Sequence, residues 1–159
     1  MPVALAVAAS AVLGWQGNLD YAKAATLACA AVSAATDVQT GYVFDRVTGV
    51  GFLLVFALQI ADGALGGALA AGAIAGGLLG LVYACSRGRG LGLGDVKLGA
   101  ALAVGLGTSG ALEALRVAAI AGGATALLLW LCGRARFGSA IPFAPFLALG
   151  ASFGALTCR

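Results

Sequence analysis

Residues 63–85 read GALGGALAAGAIAGGLLGLVYAC, an apolar run without a single charged side chain. An α-helix rises about 1.5 Å per residue, and the hydrocarbon core of a bilayer takes about 20 helical residues to cross. The run is therefore long enough to cross a membrane as one helix. This prediction sets the expectation for the rest of the chain.

The composition of the whole chain agrees with a membrane location. Of its 159 residues, 62% are hydrophobic and 9% are charged, and the mean hydropathy is +1.05. A soluble domain carries about 25% charged residues, which cover its surface. This chain has too few, so its outer surface is expected to face lipid. Its 26 glycines fit the close helix contacts that small residues allow in bilayers.

Further apolar runs, separated by short polar breaks, lie on both sides of residues 63–85. The first is short for a crossing and lacks the basic leader of a secretory signal, so it is interpreted as a short or tilted helix. The sequence predicts an all-α polytopic membrane bundle of about six to seven transmembrane helices, with residues 1–159 forming a single membrane-embedded domain. The further runs are residues 3–15, 21–36, 47–60, 96–107, 111–132 and 141–156.

The distribution of basic residues predicts the orientation. If segments 37–46, 86–97 and 133–139 share one side, that side holds six basic residues against three on the other, which favours it as cytoplasmic. The nine are scattered and form no continuous basic face, so no nucleic-acid partner is expected. The six are Arg46, Arg87, Arg89, Lys97, Arg134 and Arg136; the three are Lys23, Arg116 and Arg159.

Two aspartates are predicted to meet on the cytoplasmic side. Asp37 ends the second run, and Asp95 opens the fifth after two further crossings. Both carboxyls therefore lie at the same membrane face, where acids are costly unless they are paired, solvated or used in function.

The lack of histidine and the spacing of the cysteines limit the reactions that the chain could catalyse. The chain has no histidine, and its four cysteines stand alone, so histidine triads, zinc sites and a disulfide framework are not expected. No metal and no cofactor is predicted. Two nearby carboxyls can share a proton, so that one activates water while the other polarises a carbonyl. That pairing is the chemistry of an aspartic peptidase.

The loop before Asp95 allows two interpretations. Gly90, Gly92 and Gly94 are predicted to take backbone conformations closed to other residues and to leave room for an extended peptide. Alternatively, the loop is merely flexible and Asp95 is the N-cap of the next helix, a role that suits aspartate. Asp37 could likewise be an interfacial residue that ends a helix.

Three motifs, in order, resemble those of the type IV prepilin peptidases, membrane aspartic peptidases of the Gly-x-Gly-Asp class. They are DVQTGYVFDR at residues 37–46, GLGDVKL at residues 92–98 and IPFAPFLALG at residues 141–150. A lone Gly-x-Gly-Asp is weak evidence, whereas three ordered motifs are strong. The resemblance covers the chain from about residue 25 to its end.

The resemblance implies cleavage of the basic N-terminal leader of prepilin or pseudopilin precursors, in pilus assembly or protein secretion. It implies an inner-membrane enzyme with its active site facing the cytoplasm. Asp37 and Asp95 match the family's catalytic aspartates, and Gly92 and Gly94 match its loop glycines. Lys97 matches a basic position of the family beside the second aspartate, and it could equally be an interfacial lysine that snorkels.

The chain also departs from the family pattern. Phe44 stands where proline is usual, which frees the turn after the first motif. Larger bacterial relatives carry an N-terminal extension with paired cysteines that is associated with N-methylation. Without such a segment in this sequence, cleavage without methylation is expected.

Two other classes of protein remain open. One is a small helical transporter or channel that uses the paired acids to handle cations or protons. The other is a non-catalytic assembly subunit that has kept the fold. Proton relays usually place acids near mid-membrane, whereas these lie at span ends, which favours the peptidase. The sequence does not determine the oligomeric state.

Overall fold

The computed structural model describes residues 21–40, 45–87, 91–134 and 142–157, and the predicted run at residues 3–15 lies outside them. Within the described residues every regular element is an α-helix, which confirms the all-α prediction. The elements are α1 (Tyr21–Thr40), α2 (Asp45–Ala61), α3 (Leu65–Ser86), α4 (Leu93–Leu131) and α5 (Ala144–Thr157).

The long helix α4 folds back on itself at Gly107, whose φ of 71° and ψ of 176° are not helical. Gly99 packs against Leu147 of α5. Gly122 packs against Phe143, which lies one helical turn before Leu147 and whose carbonyl accepts the Leu147 N–H. A straight helix would hold residues 99 and 122 about 34 Å apart. Because both contact the same turn, α4 consists of an N-terminal arm (residues 93–106) and a returning C-terminal arm (residues 108–131).

The predicted count of about six to seven transmembrane helices is not supported, because the described residues form five helices. The runs predicted separately at residues 96–107 and 111–132 belong to one element, α4. Only a glycine reaches the backbone conformation of residue 107 without strain. The chain therefore reverses at a single residue instead of through a polar loop.

The hairpin turn of α4 is held by a buried side chain from α2. Gln59 Nε2 donates a hydrogen bond of 2.7 Å to the backbone oxygen of Val104. In an unbroken helix that carbonyl would accept from the N–H four residues later, beyond the break at Gly107. Gln59 thus satisfies a carbonyl that the break releases, and it places the end of α2 at the turn.

Small residues bring α5 against the C-terminal arm of α4. A Cβ added at Gly150 would overlap the Ala114 carbonyl, and one added at Gly154 would overlap the Gly110 carbonyl. The glycines are four residues apart and share one face of α5, the spacing that lets helix backbones touch in membranes. Other glycines, such as Gly123, meet no atom within 4 Å and have no such packing role.

The outer face of the bundle is apolar. Large side chains on α2, α3 and the C-terminal arm of α4, including Leu53, Leu81, Ile120 and Leu128, are each 61–66% exposed. Exposed apolar surface on this scale marks contact with lipid or protein. Two of the described helices, Leu65–Ser86 and Leu93–Leu131, are long and apolar enough to cross a bilayer. The length and composition of these helices and the apolar outer face fit a membrane location.

Candidate active site

The two predicted aspartates lie together at one end of the bundle. Asp37 is in the last turn of α1, and Asp95 is in the first turn of α4. Both are buried, with 6% and 9% of their surface exposed. Their carboxyls are close enough to interact electrostatically. The prediction that these two residues share a face therefore agrees with their placement.

Asp37 is tied to the start of another helix. Its Oδ2 accepts a hydrogen bond of 3.3 Å from the backbone N–H of Ala144, the first residue of α5. The predicted end of the second run at residue 36 is wrong by one turn, because α1 continues to Thr40. Asp37 therefore does not end α1. Its carboxyl bonds instead to the first residue of α5.

Asp95 has a capping role, but it is not the N-cap. Gly92 is the N-cap of α4, and Asp95 is the third helical residue. Its Oδ2 accepts the Gly92 N–H at 3.2 Å, as acidic residues at this position commonly do. Its Oδ1 is buried and has no hydrogen-bond partner among the described residues. Capping thus uses one oxygen of Asp95 and leaves the other available.

The prediction that the loop glycines take backbone conformations closed to other residues is wrong for Gly92 and Gly94. Gly92 has φ −80° and ψ 151°, an extended conformation open to any residue, and Gly94 lies within α4. Gly90 lies outside the described residues. What Gly92 provides is space, because a Cβ there would stand 3.3 Å from the Asp95 Oδ2.

Lys97 is exposed and borders a groove of about 430 Å³ between α2 and the N-terminal arm of α4. Thr48 also lines the groove; it is buried, and its hydroxyl has no partner in the described part of the chain. Lys97 lies two residues after Asp95 on α4, and Asp95 itself is not among the residues that line the groove. Its other lining residues are Gly49, Phe52, Ala100 and Ala101.

The sequence interpretation missed the groove and the contact of Ala144. No pattern marked Thr48 or Phe52, which belong to an apolar run. The last apolar run, predicted at residues 141–156, corresponds to α5, which begins at Ala144. Across the described residues no three Cys, Asp or Glu side chains converge as a metal ion would require.

The site therefore consists of two buried aspartates, each in a terminal turn of an apolar helix. The chain belongs to the type IV leader peptidase family, whose model matches residues 24–127 and so includes Asp37 and Asp95. The predicted resemblance to this family is thereby confirmed, and the match includes the first two motifs, while the third, at residues 141–150, lies beyond it.

Two curated relatives are similar over most of this chain. Both are described as "Prepilin leader peptidase/N-methyltransferase", from Burkholderia pseudomallei strains 1026b and K96243. Each is 39% identical over 158 residues, covering 92% of this chain and 49% of the relative. The chain spans about half the length of these relatives. No solved structure matches it significantly.

Proposed function

We propose that the chain forms one membrane-embedded peptidase domain, an aspartic endopeptidase that cleaves the N-terminal leader of prepilin-like precursors at the cytoplasmic face of the inner membrane. The observation that carries the proposal is the pair Asp37 and Asp95, buried on neighbouring helix ends and close enough to interact electrostatically. Membership of the type IV leader peptidase family supports it.

The proposed reaction is general acid–base hydrolysis by the two carboxyls. Two like charges that act on each other are unfavourable, so in the proposed reaction the pair shares one proton. The ionised member takes a proton from water, and the resulting hydroxide attacks the scissile carbonyl. The protonated member donates a hydrogen bond to the carbonyl oxygen and later supplies the proton to the leaving amine. No covalent intermediate with the protein forms.

Charge supports a cytoplasmic site. Gly80 of α3 lies beside Val96 of α4, so the end of α3, which Arg87 follows, is at the same end of the bundle as Asp95. The C-terminal arm of α4 returns to the start of α5, and Arg134 follows that arm. Basic residues thus flank the aspartates, as the positive-inside rule expects of a cytoplasmic face.

A groove along the N-terminal arm of α4, the arm that begins with Asp95 in its first turn, supports a peptide substrate. Its walls are mainly apolar, with Phe52 and two alanines, while Lys97 and the Thr48 hydroxyl are its polar groups. Peptide-binding sites combine apolar contact with a few placed polar groups in this way. A solvated channel for ions would place its acids near the bilayer centre, whereas these acids lie in terminal turns.

The test is cleavage of a co-expressed prepilin, followed by the gel shift of the precursor. Asp37→Asn and Asp95→Asn are each expected to lower the rate at least about 10²-fold, the usual contribution of a positioned acid or base. Asp62→Asn is the matched control, because Asp62 is exposed in the turn after α2. That turn lies near the Gln59–Val104 bond, at the opposite end of the bundle.

Normal processing by either site variant would refute the dyad. Proton or cation flux in peptide-free liposomes that depends on the same two acids would instead support the transporter. Cleavage without N-methylation stays a prediction from the sequence. Mass spectrometry of the mature N-terminus tests it, and an added methyl group would contradict it.

A further inference from the structure

The first turn of α5 leaves one backbone donor for Asp37. Pro145 has no N–H, and the N–H groups of Phe146 and Leu147 both bond to the Phe143 carbonyl, at 3.0 and 3.1 Å. The remaining donor is the N–H of Ala144, which points to the Asp37 carboxyl. The proline in this motif thus removes a second donor from the same turn.

This arrangement favours a negative charge on Asp37. The exposed N–H groups at a helix N-terminus carry a partial positive charge, which stabilises an anion placed there. A hydrogen bond from a backbone N–H to a carboxylate is also stronger than one to a neutral acceptor. Asp37 receives both from α5, whereas the C-terminal end of its own helix, α1, opposes an anion there.

Asp95 lies in the first turn of α4, so a helix N-terminus stabilises an anion there as well, and what distinguishes Asp95 is its second oxygen. Asp95 also accepts one N–H, from Gly92, but its Oδ1 is buried without a partner among the described residues. An anionic oxygen buried without a hydrogen bond is costly. A proton on that oxygen turns it into an O–H donor, which can point toward Asp37 or toward a substrate carbonyl.

The other charged groups in the described residues include Arg87, which follows α3 at the same end of the bundle and is exposed, so that solvent screens its charge. The residues of α5 carry no ionisable side chain, and Lys23 lies at the opposite end of α1 from Asp37. On α4, Lys97 is exposed and borders the groove. The side chains of Asp45 and Arg46, at the start of α2, lie outside the described part of the chain.

We infer that the N-terminus of α5 is a positioning element of the aspartate pair. The Ala144 N–H holds Asp37 as the ionised base, and Asp95 carries the shared proton on Oδ1. The inference rests on the proposed peptidase function and assigns the two roles within it. Ala144 and Pro145 are positioning residues, since they act through Asp37 rather than on the substrate.

The test is the pH dependence of kcat for the full chain in detergent, with a synthetic prepilin peptide as substrate. Ala144→Pro removes the N–H at the first helical position, where proline is well tolerated. The acid limb of the profile is expected to move up by about one to two pH units. KM should not change, because the N–H contacts Asp37 and not the peptide. Ala144→Val is the control, since it adds similar bulk and keeps the N–H.

A second variant keeps the test independent of the folding of the first. Pro145→Ala restores an N–H to the same turn, so its acid limb is expected to move to lower pH. Opposite shifts in the two variants cannot come from a general loss of stability. The inference is overturned if Ala144→Pro and Ala144→Val share one profile, or if Pro145→Ala leaves the limb in place. Either result, with Asp37→Asn and Asp95→Asn still inactive, overturns the positioning role alone. Active aspartate variants would overturn the peptidase itself.

Discussion

Adding one methyl group at Gly150 should separate α5 from the C-terminal arm of α4. The new Cβ of Gly150→Ala would overlap the Ala114 carbonyl oxygen and lie 2.9 Å from the carbonyl carbon. Ordinary contacts begin at 3.4 Å, and a backbone carbonyl cannot rotate away as a side chain can. Overpacking of this kind costs about 1–3 kcal/mol. Alanine's better helix propensity recovers up to about 1 kcal/mol, so a net loss of about 1–2 kcal/mol is expected.

The displacement should also reach the active site, because Ala144, at the start of the same helix, bonds to Asp37. We expect Gly150→Ala to lower both the thermal unfolding midpoint in detergent and the rate of prepilin cleavage. Gly123→Ala is the matched control, since Gly123 lies in a helix and its added Cβ meets nothing within 4 Å. Equal stability and activity of the two variants would refute the packing argument.

Two more variants test the hairpin and the groove. Gln59→Leu leaves the Val104 carbonyl without its side-chain donor and should lower the free energy of unfolding by about 1–3 kcal/mol, measured by thermal unfolding. Gln59→Glu can donate the same hydrogen bond when it is protonated, so it should lose less stability at low pH. Equal losses of stability by Gln59→Glu at all pH values would contradict the role of this bond. Gly49→Phe should raise KM for a prepilin peptide about tenfold or more by filling the groove, because Gly49 lines it and an added Cβ meets no atom. Gly67→Phe, equally open but away from the groove, is its control, and an unchanged KM in Gly49→Phe would remove the groove from substrate binding.

The helices were predictable because each apolar run has to satisfy its backbone internally in lipid. Residues 63–85 were predicted as one span, and α3 covers Leu65–Ser86. The ends were less predictable. Polar residues after position 36 suggested a loop, yet α1 continues to Thr40, and the Asp37 carboxyl bonds to another helix. Gly107 gave no sign of a reversal, since glycines are frequent throughout the chain and most do not turn it.

The order of residues was enough to predict a helical membrane protein, the placement of Asp37 and Asp95 on one face, and the family that the motifs resemble. Those conclusions follow from hydrophobicity, from the number of crossings and from side-chain identity, all of which can be read along the chain. The surroundings of each carboxyl depend instead on how the helices pack. The bond from Ala144 to Asp37 joins residues 107 positions apart through a backbone N–H. Every residue except proline has a backbone N–H, so the residue type at position 144 does not predict this contact.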